Sequence, residues 1–444
     1  MEAETEQRLR RYRFRAYPTR RQEAALARLF GCVRVVYNDA VAFREKAHEE
    51  GKQVGPAETG RNLTTSKSRP ERAWLNDVSA VPLQQSVRDA DAAYRLWFRS
   101  LRGETGKRFE QPKFKTKHAR QSARFTKNAG WALRQTAHGV GHVRLPKVGQ
   151  VRFALSRPIP EGATSVTVIR DSDGRHYVSF VAEAADPDEV PVEGRREAAG
   201  VDLGLTDLLA VVYSDGTREK VDNPRWFRRA HRRLAVAQRA ADRCVPGSRN
   251  DMKARARVAA QHRKVRDTRL DHHHKLALRL VRENQAVALE GLSVSGLAQG
   301  RLAKSVHDAG WGLLVALIQQ KAPRVGTDIR VIGRYAPTSQ VCAVCGALDG
   351  KKALSVRVWE CKECGARLDR DWNAALNVLV AAGLAETLNA RGREGRLRLA
   401  EALSPKQEPA ERKRALPGRD PSASQAGEVN GVENHRGTGV VMSC

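Results

Sequence analysis

From Arg11 to Tyr17 the chain alternates, with Tyr12, Phe14 and Ala16 on one side and Arg11, Arg13 and Arg15 on the other, and Pro18 ends the pattern. This predicts a strand with one apolar and one cationic face. A helix should start at Thr19, a residue suited to capping, and carry Leu26, Leu29, Phe30 and Val33 on one stripe. A second stripe runs through Leu83, Val87, Ala90, Tyr94, Trp97 and Phe98 at three- and four-residue spacing, so residues 19–106 are expected to form a helical unit whose aromatics serve mainly as packing core. Strand patterns return at 151–155, 165–169 and 176–181, the last two joined by Asp171-Ser172-Asp173-Gly174, which predicts a hairpin. Residues 1–18 and 107–190 together predict one β domain, barrel-like or a small sheet, interrupted by the helical unit.

Beyond a linker at 186–196 lie two strands, 198–204 and 208–213, then basic helical stretches at 225–243 and 250–284 separated by Val245-Pro246-Gly247-Ser248. A Pro-Gly turn between two long helices predicts an antiparallel hairpin. Its arginines, Arg228, Arg229, Arg232 and Arg233 among them, exceed what a solvated face needs and point to a phosphate-tracking arm. His272-His273-His274 is not read as a metal site, because successive helical side chains point about 100° apart. The apolar periodicity weakens from about 383, and no aromatic residue follows Ser404. The tail 383–444 is expected to be disordered.

Charge sharpens this picture. The 444 residues carry 79 Lys plus Arg against 50 Asp plus Glu, a net +29, while 41% hydrophobic residues exclude wholesale disorder. Such a surface suits a polyanion, above all nucleic acid. Lysines interleave with aromatics through Phe109-Glu110-Gln111-Pro112-Lys113-Phe114-Lys115-Thr116-Lys117, as on surfaces where bases stack and backbones are tracked. No apolar run approaches the roughly 20 residues of a membrane span, and Met1-Glu2-Ala3-Glu4 is acidic where a signal peptide is basic. A cytosolic or nucleoid-associated protein with no membrane partner is expected.

Four of the seven cysteines, Cys342, Cys345, Cys361 and Cys364, form two CxxC pairs separated by 15 residues. That is zinc-ribbon spacing, four thiolates around one structural Zn²⁺. Glycines follow Cys345 and Cys364 and supply the knuckle turns; with no further ligand the site would be closed to chemistry.

Three acids stand out. Asp202 interrupts an apolar strand, and Glu290 ends another, Val287-Ala288-Leu289-Glu290. Buried carboxylates are costly unless neutralised. The pair Asp369 and Asp371 begins a helix at 372–380, where acids are common for capping reasons alone. Taken together they suit a ribonuclease-H-like sheet whose carboxylates converge on two Mg²⁺ ions about 4 Å apart, as two-metal phosphodiester cleavage requires. Independent salt-bridged acids are the competing reading.

These pieces resemble the TnpB family, RNA-guided nucleases of bacterial insertion sequences related to miniature type V CRISPR effectors. The resemblance runs through Phe14-Arg15-Ala16-Tyr17-Pro18-Thr19, Arg34-Val35-Val36-Tyr37-Asn38, Gln111-Pro112-Lys113-Phe114-Lys115, Gly200-Val201-Asp202-Leu203-Gly204, His274-Lys275-Leu276, Leu289-Glu290-Gly291-Leu292, Pro337-Thr338-Ser339-Gln340-Val341-Cys342 and Asp369-Arg370-Asp371-Trp372-Asn373-Ala374-Ala375. It covers roughly residues 8–382. It implies a multidomain α+β protein: a wedge-like β-barrel interrupted by a helical recognition unit, a RuvC nuclease part at 197–335, a zinc ribbon at 336–366 and a final RuvC helix at 367–382. Asp202, Glu290 and Asp371 would be the catalytic Mg²⁺ ligands, with Asp371 preferred to Asp369 by the family's Asp-x-Asn-Ala-Ala pattern. Trp372 departs from the smaller aliphatic expected there.

The implied partners are a guide RNA and double-stranded DNA bearing a short flanking motif, bound by one protein copy. Arg11, Arg13, Arg15, Lys113, Lys115, Lys117, Arg228, Arg229, Arg232, Arg233 and Lys275 are the candidate nucleic-acid contacts. The alternatives are a CRISPR-associated effector, a nuclease-dead RNA-guided repressor, which would lack at least one acid, and a DDE transposase, whose third acid is usually Glu. Nucleic-acid binding should weaken steeply between 50 and 200 mM salt, by about a thousandfold or more if six or more phosphates are neutralised. A flat salt response in a filter-binding titration would remove the electrostatic argument.

Overall fold

The computed structural model describes residues 9–106, 108–117, 119–136, 139–183, 193–353 and 355–385. The expected disordered tail therefore lies outside the described residues from position 386 onward. Strand β1 (Leu9–Tyr17) buries Tyr12, Phe14 and Ala16, as its alternation requires. Thr19 then caps helix α1 (Arg20–Glu49) reciprocally with Gln22: its hydroxyl accepts from the Gln22 N–H, and the Gln22 side chain accepts from the Thr19 N–H. Helices α2 (Pro56–Ser68) and α3 (Ala80–Leu101) follow.

The β domain continues with β2 (Gln121–Thr126), β3 (Ala132–Gln135), β4 (Val140–Leu145), β5 (Gly149–Ala154), β6 (Ser165–Arg170) and β7 (His176–Glu183). The expected barrel takes the form of one seven-stranded antiparallel sheet, ordered β2-β6-β7-β1-β5-β4-β3; among the described residues no pairing joins its two ends. One core unites Phe14, Phe125, Phe153 and Phe180 of the sheet with Leu26, Leu29, Phe30, Leu83 and Val87 of the helices. The interrupting helices are thus the sheet's own cover. The lysine-rich segment at 109–117 has no regular structure, and α1 holds it in place. Asn38 exchanges two hydrogen bonds with the Lys115 backbone, at 2.8 and 3.1 Å, and the Lys115 ammonium sits 3.6 Å above the Tyr37 ring.

A second sheet holds β8 (Arg196–Leu203), β9 (Asp207–Tyr213), β10 (Arg218–Asp222), β11 (Asn284–Glu290) and β12 (Asp328–Ile332), ordered β10-β9-β8-β11-β12. The first three pair antiparallel, whereas β8, β11 and β12 run parallel. This is RuvC-like topology. Between β10 and β11 stands the expected hairpin, α4 (Trp226–Asp242) and α5 (Arg249–Glu283); α6 (Val294–Leu297), α7 (Ala303–Ala309) and α8 (Trp311–Val325) precede β12. Within this part, His273 is a packing residue: its Nε2 bonds the Ala309 carbonyl at 2.9 Å, Trp226 lies edge-on to the ring, and burial holds its pKa near 4.

The two faces of this sheet differ. Ala199, Val201, Leu203, Val287 and Leu289 pack on Leu276, Leu280, Leu314 and Ile318 of α5 and α8. The opposite face presents Ala198, Gly200, Ala286 and Ala288, and onto it falls the last helix, α9 (Arg370–Ala381), preceded by the short strands β13 (Val358–Glu360) and β14 (Arg367–Asp369). Small residues let α9 approach. A Cβ at Gly200 would lie 2.3 Å from the Ala375 carbonyl oxygen. Gly200→Ala should therefore push α9 off the sheet and lower stability by about 1–3 kcal/mol. An unchanged midpoint in thermal melting would show that the contact can relax without loss.

Candidate active site and metal centre

The helix approach decides where three acids meet. Asp202 and Glu290 share the α9 face with Gly200 and Ala288, and β8 and β11 pair Val201 with Leu289, so the two carboxylates follow side by side at the strands' ends. Helix α9 brings Asp371 over them from its first turn. All three line one cavity of about 560 Å³, together with Arg225, Arg228, Arg334, Arg357 and Arg370. Burial pushes the Asp202 carboxyl well above the usual range, and the Glu290 and Asp371 charges push it further, with Arg370 offsetting only part. Glu290 is also raised by burial, against the 2.5 Å hydrogen bond it accepts from the Thr338 hydroxyl. Acids that repel one another inside protein are relieved by a cation, and carboxylate oxygens are the ligands that hard divalent ions take; among the described residues, however, the only ready-made cluster of three or more ligand atoms is the four cysteines.

Asp369 is differently employed. Its Oδ1 accepts from the N–H groups of Asp371 and Trp372, each at 3.0 Å, and its Oδ2 accepts from Lys220 at 2.8 Å. It is the cap of α9 and does not line the cavity. The Asp371 carboxylate lies 3.5 Å from Arg357 and 3.7 Å from Lys220.

The four cysteines lie with their sulfurs within 4.8 Å of one another. Cys342 and Cys364 are 3.7 Å apart, as are Cys345 and Cys361. Thiolates at about 2.3 Å from one tetrahedral ion stand about 3.8 Å apart, so the cluster has the dimensions of a Zn²⁺ site. Its two halves repeat one pattern. The Cys342 and Cys361 N–H groups each donate to the residue five positions on, at 2.9 Å, while Gly346 and Gly365 each donate back to those cysteines at 2.8 Å from left-handed backbone. Burial pushes the Cys342 thiol up to about 12, so a thiolate there needs a cation.

Side-chain amides fasten this centre to α9. Asn373 donates to the carbonyls of Thr338 and Val341 and accepts from the Ala343 N–H; Asn377 donates to the same two carbonyls. The knuckle, the Glu290 partner and the Asp371 helix form one unit. Sequence reasoning assigned no role to Thr338, Asn377 or Lys220. The spacing of Asn373 and Asn377, one helical turn apart, was the available signal for the amide pair.

The candidate nucleic-acid residues do not gather at one place. Arg228 lines the acid cavity, and Arg232 and Arg233 border a second one between α4 and α5 with Val236, Ala240 and Ala254. Arg13 pairs with Asp171 at 3.1 Å and stacks over Tyr177, which Arg15 also approaches; Arg11 is exposed. Lys113 pairs with Glu110 and Lys275 with Asp271, whereas Lys117 and Arg229 are exposed. Further along α5, Arg263 bonds Asp173 and Arg266 lies 3.5 Å from Asp171, so part of the basic arm fastens to the β6–β7 turn.

Comparison with known proteins bears on this arrangement. A family model described as a probable transposase matches residues 179–301, and one for the Cas12f1-like TNB domain matches 311–378. A protein of Streptomyces pristinaespiralis, named as a candidate RNA-guided DNA endonuclease, is 41% identical over 382 residues, 85% of this chain and 90% of its own length. This chain belongs to the TnpB/Cas12f-like family of RNA-guided endonucleases. InsQ of Escherichia coli K12, named in the same way, is 29% identical over 84% of this chain and 92% of its own. A solved Cas12f1–guide RNA–target DNA complex aligns over 80% of this chain and 82% of its own at 13% identity with a TM-score of 0.47, too distant to carry weight. A helix-turn-helix model matches 8–53, yet this TnpB-family chain forms a strand and one uninterrupted helix there. Among the described residues no helix is long and apolar enough to cross a membrane.

Cys361→Ser should lower bound zinc and destabilise α9 together with the knuckles, by about 2 kcal/mol or more. Elemental analysis with thermal melting checks this, and normal zinc content with normal melting would defeat it.

Proposed function

We propose that this protein is a transposon-type RNA-guided DNA endonuclease in which Asp202, Glu290 and Asp371 hold catalytic Mg²⁺. The observation that carries the reading is the meeting of these three acids at one end of a RuvC-like sheet, in a cavity otherwise rich in arginine. Asp202, Glu290 and Asp371 would hold the divalent ions, which would supply Lewis-acid stabilisation for phosphodiester cleavage. The chain's own groups orient and bind. Thr338 fixes the Glu290 carboxylate, and Trp311 donates to the Gly204 carbonyl at 3.2 Å, steadying the turn after Asp202. Arg225, Arg228 and Arg334 present guanidinium groups suited to backbone phosphates.

Target choice would come from base pairing with the guide RNA, leaving the protein to supply backbone-binding charge and to read a short flanking motif. The net charge of +29 has that use. The seven-stranded sheet with its helices would be the wedge and recognition part, and the four cysteines would hold a structural Zn²⁺ that keeps Asp371 in place through Asn373 and Asn377. Retention of all three acids supports cleavage over a nuclease-dead repressor.

Two results test this reading. Protein purified from cells carrying its native locus should bring down one discrete RNA ending in sequence from beside the gene; only heterogeneous RNA removed by moderate salt would overturn guidance. Asp202→Ala and Glu290→Ala should each cut Mg²⁺-dependent cleavage of a matched target by more than about a hundredfold, since even partners of metal ligands are worth 10- to 100-fold. RNA binding should stay near the parent level. Cleavage at the parent rate by either variant would remove the assignment.

A further inference from the structure

Two neighbouring acids begin α9, and only Asp371 lines the cavity. The arrangement around Lys220 accounts for that. In β10 Lys220 pairs with Ala210, which packs with Trp372 and Ala375, so its side chain extends along the face that α9 covers. Its ammonium lies 2.8 Å from Asp369 Oδ2, 3.7 Å from Asp371 Oδ2 and 3.9 Å from Asp207 Oδ2, and 4.9 Å above the Trp372 ring. Three carboxylates therefore share one ammonium, and an aromatic face braces it. Trp372, in the first turn of α9, supplies that face.

Both oxygens of Asp369 are thereby occupied, one by Lys220 and one by the two N–H groups it caps. Without the ammonium, Asp369 would keep only its cap bonds, and repulsion from Asp207 and Asp371 would turn it out of that geometry. We propose that Lys220, braced by Trp372, is a positioning residue that commits Asp369 to the helix cap and so holds Asp371 toward the metal cavity. The proposal rests on the reading of Asp202, Glu290 and Asp371 as metal ligands.

Mn²⁺ binding to the full chain, measured by isothermal titration, tests it alongside melting temperature. Lys220→Met should weaken Mn²⁺ by about tenfold or more, the range for groups that orient metal ligands. Lys220→Arg should stay within about threefold of the parent. Trp372→Leu should fall between, and the double variant Lys220→Met with Trp372→Leu should be no weaker than Lys220→Met alone, because the two act through one another. The Mg²⁺ concentration for half-maximal cleavage should follow the same order, a shift that a merely stabilising ion pair would not produce.

Asp202→Ala separates the two ways of failing. Loss of Mn²⁺ in Asp202→Ala with parent-like binding in Lys220→Met would overturn the role of Lys220 and leave the three-acid site standing. Parent-like binding in Asp202→Ala would overturn the site and this proposal with it. Should Lys220→Met melt far below the parent, Lys220→Arg and Trp372→Leu carry the comparison; weak binding in Lys220→Arg or parent-like binding in Trp372→Leu would then count against it.

Discussion

Three carboxylates held together inside protein repel one another, and the rest of this structure is arranged so that they nevertheless stay close. The force that holds them is hydrophobic. One face of the RuvC-like sheet is anchored by the aliphatic layer under α5 and α8, which fixes β8 and β11 in register and so sets Asp202 beside Glu290. The other face is mostly alanine and glycine where α9 lands, with Val212 and Ile332 beside them, and α9 can descend on it until its backbone touches Gly200. Packing thus imposes an electrostatic cost that Arg370 offsets in part.

The four-cysteine centre belongs to the same device. Its knuckles are joined to α9 by two asparagines whose amides bond the same pair of carbonyls, and the adjoining Thr338 reaches Glu290. The cysteine cluster is therefore linked by hydrogen bonds to the elements that carry two of the three acids. Lys220 of β10 pairs with Asp369, so the start of α9 is bonded both to the knuckles and to β10.

The arginines fall into two structural groups. Arginines of α5 meet Asp171 and Asp173 at the β6–β7 turn, and Arg13 joins them, tying the first sheet to the long helix through half-buried ion pairs. Others, including Arg225, Arg228 and Arg334, remain at the cavity. Net charge alone could not separate internal clasps from arginines that line the cavity, because both are written as Arg.

Local patterns were legible from end to end in the chain. Alternation marked β1 and the β6–β7 hairpin, the Pro-Gly turn marked the α4–α5 pair, and paired CxxC motifs marked the two knuckles of the four-cysteine cluster, since each depends on neighbours a few residues away. Asp202 and Glu290 drew notice because an acid contradicts an apolar strand. The choice between Asp369 and Asp371 was legible only through family resemblance, and nothing nearby in the chain announces that Asp369 pairs with Lys220, some 150 residues earlier and unremarkable on an edge strand. The open order of the first sheet, the division of arginines and the amide bonds from α9 to the knuckles were settled the same way. Short-range order is encoded residue by residue, whereas which charge meets which depends on strand register and helix approach, and these exist only once the cores have formed.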